Sequence, residues 1–356
     1  MKIAISTISV SPHILAVWRF VEKCLPDAIY YYHAAKHDAE REKFGWSNDA
    51  EVRVEMVTPE NQCELENVSV LIETMRDFEL ISRRVRNGRL TVYFSERWFK
   101  PPWGIFRLLH PRYFRMAYKF AKLFRSPYLY YLASGVHAAR DMARVIGIFN
   151  FDIRCLFRAP HFSAPRVPCA RMRGFEKILL WGYFAEHCGK KTVRNWHNPR
   201  RILWLGRMLH WKKTITIIEA VRRVEGFTLT IVGEGPEDEK LRRAAIGMSN
   251  VTFHKFVTAN EARKMMRDHD IYILASDGSE GWGTTLNEAL EEGMCVLGTY
   301  EAGASATILP DSCLFHAGDV NGLVQLLKSK MQFDSELGDW QPNKAAEALI
   351  NFIRRV

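Results

Sequence analysis

Between residues 201 and 299, five short apolar runs alternate with helical patterns, and no other feature restricts the possible folds as much. The runs are "RILWLGR" (201–207), "FTLTIVG" (227–233), "VTFHKFV" (251–257), "IYILAS" (271–276) and "MCVLGT" (294–299). Helical patterns fall near 214–224, 237–246, 260–268 and 285–292. Strands this apolar have no wet face. Separated by helices, they must pair in parallel within a sheet covered on both sides. Ligands of such sheets bind outside the C-terminal ends of the strands.

The first half alternates less cleanly. Buried strands are expected at 2–7, 68–72, 90–94, 128–133 and 177–181, and a helix at 77–86. Segments 34–50 and 151–172 resist assignment; the second is rich in Pro and Arg and is expected to loop. A linker is expected at "AEHCGKKTVRNWHNPR" (185–200). At 356 residues the chain can hold two domains. The expected organisation is α/β: a Rossmann-like domain over 1–186, a second over 187–340, and a helix over 341–356 that could cross back to the first.

Seven cysteines are scattered without a C-x-x-C pair, which points to reduced thiols rather than a disulfide frame or zinc site. The start, "MKIAISTISV", is too short and too rich in Ser and Thr for a signal peptide, and reads as a first strand. No apolar run approaches the ~18 residues that a membrane span needs. These features suit the cytoplasm. The net charge of +10 is localised. Residues 1–190 hold 29 basic and 19 acidic residues, whereas 191–356 hold 21 of each. Within 101–190 the count is 15 against 4, so an anionic partner is expected there.

Three segments carry chemistry on the second sheet. In "SEGWGTTLNEALEEG", Glu280 and Glu288 flank Gly281 and Gly283 after a strand and at the start of a helix. The glycines allow close backbone approach, and the amides of Gly283, Thr284 and Thr285 suit a phosphate. Thr285-x-x-Glu288 is also the spacing of a capping box, in which both side chains merely satisfy backbone donors. In "GRMLHWKK", Arg207 and Lys212 follow the first strand of the sheet, where two cations suit a diphosphate or simply line a solvated loop. "VGEGP" places Gly233 at a tight strand-to-helix turn but lacks the G-x-G-x-x-G spacing.

Taken in order, "LGRMLHWKK", "IVGEGPEDEKL", "VTFHKFV" and "SEGWGTTLNEALEEGMCVLGT" resemble the group 1 (family 4) retaining glycosyltransferases of GT-B fold over residues 201–309. The resemblance implies two Rossmann-like domains facing across a cleft. It implies that Glu288 binds the ribose of a nucleoside-diphosphate sugar, most often a UDP-sugar, and that Glu280 contacts the transferred hexose. Arg207 and Lys212 would neutralise the diphosphate, helped by the amides of Gly283 to Thr285. Gly233 would belong to the nucleotide site, and Phe256 and Val257 would lie along the base. No metal or other cofactor is implied. The chain departs from the family at Lys213, where Gly is usual, and at Trp282 and Asn287, which leaves the choice of sugar open.

In the first domain the resemblance holds only in outline. Strand ends there offer His137, which the resemblance would set near the reacting sugar, Glu96 and Arg97 as acceptor-side candidates, and Glu73 and Thr74. Asp141 and Arg140 could simply pair on one helix. The basic segment 107–125 includes Arg112, Arg115, Lys119 and Lys122 at helical spacing. Phe114, Ala117, Ala121 and Phe124 fall on an apolar side, as in an amphipathic helix on an anionic membrane or a helix packed in a core. No nucleic-acid motif accompanies it. The expected function is transfer of a hexose to a growing, lipid-linked glycan of the polysaccharide or lipopolysaccharide kind, at the inner face of the cytoplasmic membrane. A sugar-nucleotide epimerase and a catalytically idle glycan- or lipid-binding partner protein are the alternatives.

Overall fold

The computed structural model describes residues 1–33, 51–150, 167–186, 200–329 and 339–356. Most of the expected linker (187–199) and of the loop expected at 151–172 (151–166) therefore lies outside the described residues. The chain forms two compact units, Met1–Phe184 with Asp339–Val356, and Ala185–Gly338.

The N-terminal unit is built on eight strands: β1 (Ile3–Thr7), β2 (Ile29–Tyr32), β3 (Val54–Met56), β4 (Val70–Glu73), β5 (Leu90–Ser95), β6 (Leu129–Ser134), β7 (Arg171–Met172) and β8 (Phe175–Trp181). Their order is β3-β2-β1-β4-β5-β6-β8-β7, parallel except for the β7–β8 pair. Helices α1 (Pro12–Cys24), α2 (Gln62–Asn67), α3 (Phe78–Arg86), α4 (Pro111–Leu123) and α5 (Gly135–Asn150) connect them. A fully buried guanidinium ties α3 to the sheet. Arg84 donates to the carbonyls of Leu65, Glu66, Val68 and Leu90, and to the Thr91 hydroxyl. Leu65 and Glu66 lie in the last turn of α2, Val68 just after it and Leu90 at the start of β5; carbonyls at a helix end have no partner within the helix, so the guanidinium supplies one.

Helix α4 corrects one reading of the basic segment. Ala117, Ala121 and Phe124 are buried in a core shared with Phe120, Tyr131 and Met142, so this side cannot lie on a membrane. The sheet and α5 claimed it, because covering a parallel sheet takes precedence over an external surface. Only Phe114 of that side stays half exposed, and the basic side remains outward.

The C-terminal unit has six strands: β9 (Arg201–Leu205), β10 (Thr228–Val232), β11 (Val251–His254), β12 (Ile271–Leu274), β13 (Cys295–Thr299) and β14 (Leu314–Phe315). They are parallel in the order β11-β10-β9-β12-β13-β14. Helices α6 (Thr214–Arg222), α7 (Asp238–Ala244), α8 (Ala259–Asp268), α9 (Thr285–Glu291), α10 (Gly303–Ile308) and α11 (Val320–Lys328) complete it. A final helix, α12 (Pro342–Arg355), belongs to the N-terminal unit and packs on α1 through buried Ala345, Ala346 and Leu349. Each strand and helix expected between 201 and 299 forms; β13 and α8 end where expected, and the others end one to three residues early where the chain turns into a loop.

The loops leaving β9 and β10 interlock. Gly206 N donates to Val232 O, Met208 N to Glu234 O and Glu237 N to Met208 O. Gly233 has φ +134°, and a Cβ there would stand 2.0 Å from the Gly206 carbonyl oxygen. At Gly235 (φ +157°) it would stand 2.6 Å from Met208 O. Gly233→Ala is expected to lower the unfolding free energy by roughly 2–4 kcal/mol, from backbone strain and overpacking together. Gly247→Ala, at φ +79° with nothing near its Cβ, should cost only about 1 kcal/mol. Urea unfolding of both variants measures the difference, and equal losses would refute the interlock.

Candidate functional site

In the C-terminal unit the strand order reverses between β9 and β12. Two loops far apart in sequence therefore start side by side at the C-terminal edge of the sheet. The loop after β9 passes Gly206 and Arg207 and turns through a short 3-10 segment, His210–Lys212. The loop after β12 runs from Ala275 to Thr284. Asp277 N donates to Trp211 O at 2.7 Å, and Lys213 Nζ lies 3.5 Å from the Asp277 carboxylate. Lys212 Nζ donates to Glu280 Oε2, and Ser276 Oγ donates to the same oxygen at 3.1 Å. Lys212 and Glu280 are both largely buried, so their attraction is less screened than that of a surface pair. Arg207 lies on the same loop and is exposed.

Helix α9 begins without a capping box. Thr284 precedes it in a helical conformation with no side-chain cap bond, and the Thr285 hydroxyl shares a 2.5 Å hydrogen bond with Tyr272 OH. Glu288 is not used as a cap, and its side chain stands half exposed one turn along α9. The amides of Gly283, Thr284 and Thr285 make no backbone hydrogen bond to a described residue. Behind the helix, Arg263 donates to the Glu288 carbonyl at 3.1 Å. Arg263 and Arg267 also pair with the buried Glu292. Trp282 and Asn287, the two unusual residues, are buried and bonded to each other, Nε1 to Oδ1 at 2.8 Å. Trp282 O accepts from Ala304 N. They brace the loop between the two acids from within, and neither side chain is exposed to meet a sugar.

Lys213 adopts φ +50°, a left-handed conformation that favours glycine. Phe256 and Val257 follow β11, two strands from β9, and are half buried. Gly233 lies between these two loops, after β10. Sequence reasoning passed over Ser276 and Asp277. The "SDGS" turn was the available signal, since an aspartate there accepts from the amide two residues on, as Asp277 does from Ser279 N at 2.8 Å.

In the N-terminal unit the expected candidates sit near strand ends but are committed differently. Arg97 is held 3.6 Å from Asp141, whose carboxylate also accepts from Phe99 N. Asp141 thus pairs with Arg97, across the fold. Glu96 pairs with Lys100 at 2.8 Å. His137 is half buried in the first turn of α5. Thr74 Oγ1 donates to Ser6 O. Glu73, at the end of β4, is fully buried. One of its oxygens accepts from Met75 N, and the other makes no hydrogen bond to a described residue. Burial pushes its pKa up to about 7. Among the described residues no cluster of three or more His, Cys, Asp or Glu could hold a metal ion. None of the described helices is long and apolar enough to cross a membrane.

Residues 199–331 match the sequence family described as "Glycosyl transferases group 1". Among solved structures, Alr3699/HepE of Anabaena in complex with UDP is similar over all of both chains, with a TM-score of 0.64 and 13% identity. The lipopolysaccharide outer core galactosyltransferase WaaB matches all of this chain and 99% of its own, with a TM-score of 0.63 and 15% identity. A glycosyltransferase of Rickettsia africae matches 98% of this chain and 93% of its own, at 0.55 and 14%. No curated protein matches the chain in sequence. The architecture is GT-B.

The buried Glu73 predicts a pH dependence. Its carboxyl stays neutral in the fold up to about pH 7, but ionises near 4.5 once exposed. Stability from this group is full below the unfolded pKa and is lost as the pH rises through the folded one. Glu73→Gln is expected to flatten that decline and to be the more stable chain above pH 7. Urea midpoints from pH 5 to pH 8 measure it; parallel profiles would refute the assignment.

Proposed function

We propose that the protein transfers a hexose from a UDP-sugar to a growing, lipid-linked surface glycan, with retention at the anomeric carbon and no metal, at the inner face of the cytoplasmic membrane. The observation carrying this reading is the convergence of Lys212 and Glu280, from loops 68 residues apart, beside Arg207 and the start of α9. The UDP and UDP-glucose complexes of the Anabaena protein support a UDP-sugar donor. The galactosyltransferase WaaB, with its lipopolysaccharide acceptor, supports a lipid-linked glycan.

In the free protein Lys212 and Glu280 neutralise each other. Donor binding exchanges these partners. Lys212 and Arg207 turn to the diphosphate, Glu280 accepts from hydroxyls of the hexose, and Glu288 accepts from the ribose. As the bond from the sugar to the phosphate breaks, negative charge grows on the departing oxygen. Cations already fixed on an interlocked backbone lower that barrier with little reorganisation. The acceptor hydroxyl bonds to the anomeric carbon on the face the phosphate leaves, and its proton passes to the departing phosphate oxygen. This route needs no enzymic nucleophile. Trp282 and Asn287 hold Glu280 and Glu288 in position and do not choose the sugar.

Replacing Glu288 with Ala should weaken UDP-sugar binding by about 1.5–3 kcal/mol, the scale of a hydrogen bond to a charged group. Calorimetry reads it directly, and an unchanged affinity would remove the ribose role. Lys212→Ala is expected to lower kcat by roughly 10²–10³-fold, as when one charge-stabilising donor is removed, with a smaller effect on donor affinity. Lost affinity with normal turnover would contradict that role. Incubation with donor alone separates the alternatives: slow hydrolysis fits a transferase, and a new epimer fits an epimerase. If no nucleoside diphosphate binds at all, an idle partner protein remains.

A further inference from the structure

We propose that the groove between α3 and α4 is an acceptor subsite for a phosphorylated sugar of the glycan; this rests on the transferase reading above and adds the chemical class of the acceptor to it. Helix α3 follows β4 and α4 follows β5, two parallel neighbours. The starts of both helices line one cavity of about 670 Å³, at the C-terminal edge of the sheet, where ligands of such sheets bind. Arg76 to Glu79 line it from the start of α3, and Arg112, Arg115 and Lys119 from α4. A second cavity, of about 480 Å³, continues it along both helices and shares Phe78, Glu79 and Lys119. The two helices therefore run side by side in the same direction, with both positive ends at the larger cavity.

The larger cavity carries an excess of charge. Four cationic side chains and two carboxylates line it, which leaves two positive charges. Arg76, Arg112, Arg115 and Lys119 form no ion pair with any described residue. The Asp77 carboxylate is occupied in capping α3, where it accepts from Glu79 N and Leu80 N. Helix α4 has no such acid. Its cap is His110, whose Nδ1 accepts from Arg112 N at 3.3 Å, and no acidic residue lies in its first turn. A phosphomonoester carries a charge of about −1.5 to −2 at pH 7, which matches this excess. A carboxylate, with one charge, leaves half of it unmet. Arginine suits the phosphate by forking two N–H groups onto it.

The space calls for more than the phosphate. The larger cavity falls within the ~300–1,000 Å³ range of pockets that hold small organic molecules, and inorganic phosphate fills only a small part of it. Along the second cavity the lining includes Ser82, Tyr118 and Lys122. Tyr118 is half exposed, and its ring offers an aromatic surface with a polar tip, on which a sugar can lie. A groove two cavities long suits a chain of sugars better than a lone headgroup presented at the flat surface of a bilayer.

Calorimetry on the full chain tests this, with UDP present in excess to occupy the donor's diphosphate site. The probes are glucose 6-phosphate, glucose and inorganic phosphate. Glucose 6-phosphate is expected to bind at least ~10-fold more tightly than either of the others, the scale of one charged hydrogen bond. Arg112→Gln with Arg115→Gln should weaken its binding by roughly 30-fold, and so should Arg76→Gln with Lys119→Gln. All four side chains are exposed, so melting point and UDP affinity should hold. Equal binding of glucose and glucose 6-phosphate overturns the proposal, as does unchanged binding in either double variant. Inorganic phosphate binding as tightly as glucose 6-phosphate makes this a bare anion site and also overturns it. So does binding to phosphatidylglycerol vesicles, lost in the same variants, without binding of glucose 6-phosphate. If the chain hydrolyses UDP-sugar yet binds no glucose 6-phosphate, the subsite falls and the transferase reading stands. If glucose 6-phosphate binds as expected while no UDP-sugar is hydrolysed or transferred, the subsite stands and the reaction proposed above falls.

Discussion

The reversal of strand order at β9 and β12 is the constraint on which the candidate site depends. Chain continuity sends β10 to one side of β9, and β12 pairs on the other, with Ile271 beside Ile202 and Tyr272 beside Leu203. Asp270 pins this junction at its base by accepting from Arg200 N and Arg201 N and pairing with the Arg201 guanidinium. At the opposite end the loops must part, because the helices that follow cover different faces of the sheet. The gap between them is where Lys212 meets Glu280.

Stiffness then comes from backbone rather than from side chains. The loops after β9 and β10 touch through Gly206, Met208, Gly233 and Gly235 so closely that a Cβ at Gly233 or Gly235 would collide with main-chain atoms. The loop after β12 is held from below by Trp282 and Asn287, and from behind by α10, where a Cβ at Gly303 would meet Gly281 O at 2.2 Å. A site that must stabilise developing charge benefits from such fixed positions, since nothing has to reorganise when the charge appears. The N-terminal unit shares the same strand order in its core but solves its loops differently, by burying Arg84 among carbonyls and leaving Glu73 partly unsatisfied.

Local signals were legible where period and turn chemistry agreed. Every strand from β9 to β13 was readable as a short apolar run: β9, β10, β12 and β13 are largely buried, which admits little else, while β11, at the sheet edge, alternates half-buried and exposed residues. Spacing alone was ambiguous for caps. Thr258-x-x-Glu261 and Thr285-x-x-Glu288 have the same pattern, yet only the first forms a capping box. The second cannot, because Thr285 is already inside the helix and its hydroxyl is taken by Tyr272. Helix α4 was amphipathic in sequence, but nothing in its own residues indicated which surface would cover the apolar side. Lys213 looked like a departure from a glycine position, and its left-handed backbone accounts for why glycine is usual there.

By itself the sequence determined the α/β alternation, the two acids flanking paired glycines, and the basic loop after the first strand of the second sheet. Each depends on residues near one another in the chain, whose periodicity, turn preference and charge act locally. Tertiary structure alone decided that Lys212 and Glu280 pair, that Trp282 and Asn287 face inward to each other, and that Arg97 answers Asp141. It also decided that the apolar side of α4 is core while its basic side lines a groove with α3. Those outcomes depend on which strands become neighbours and which face each helix lays on the sheet, and both are set by the burial of the whole domain rather than by any one segment.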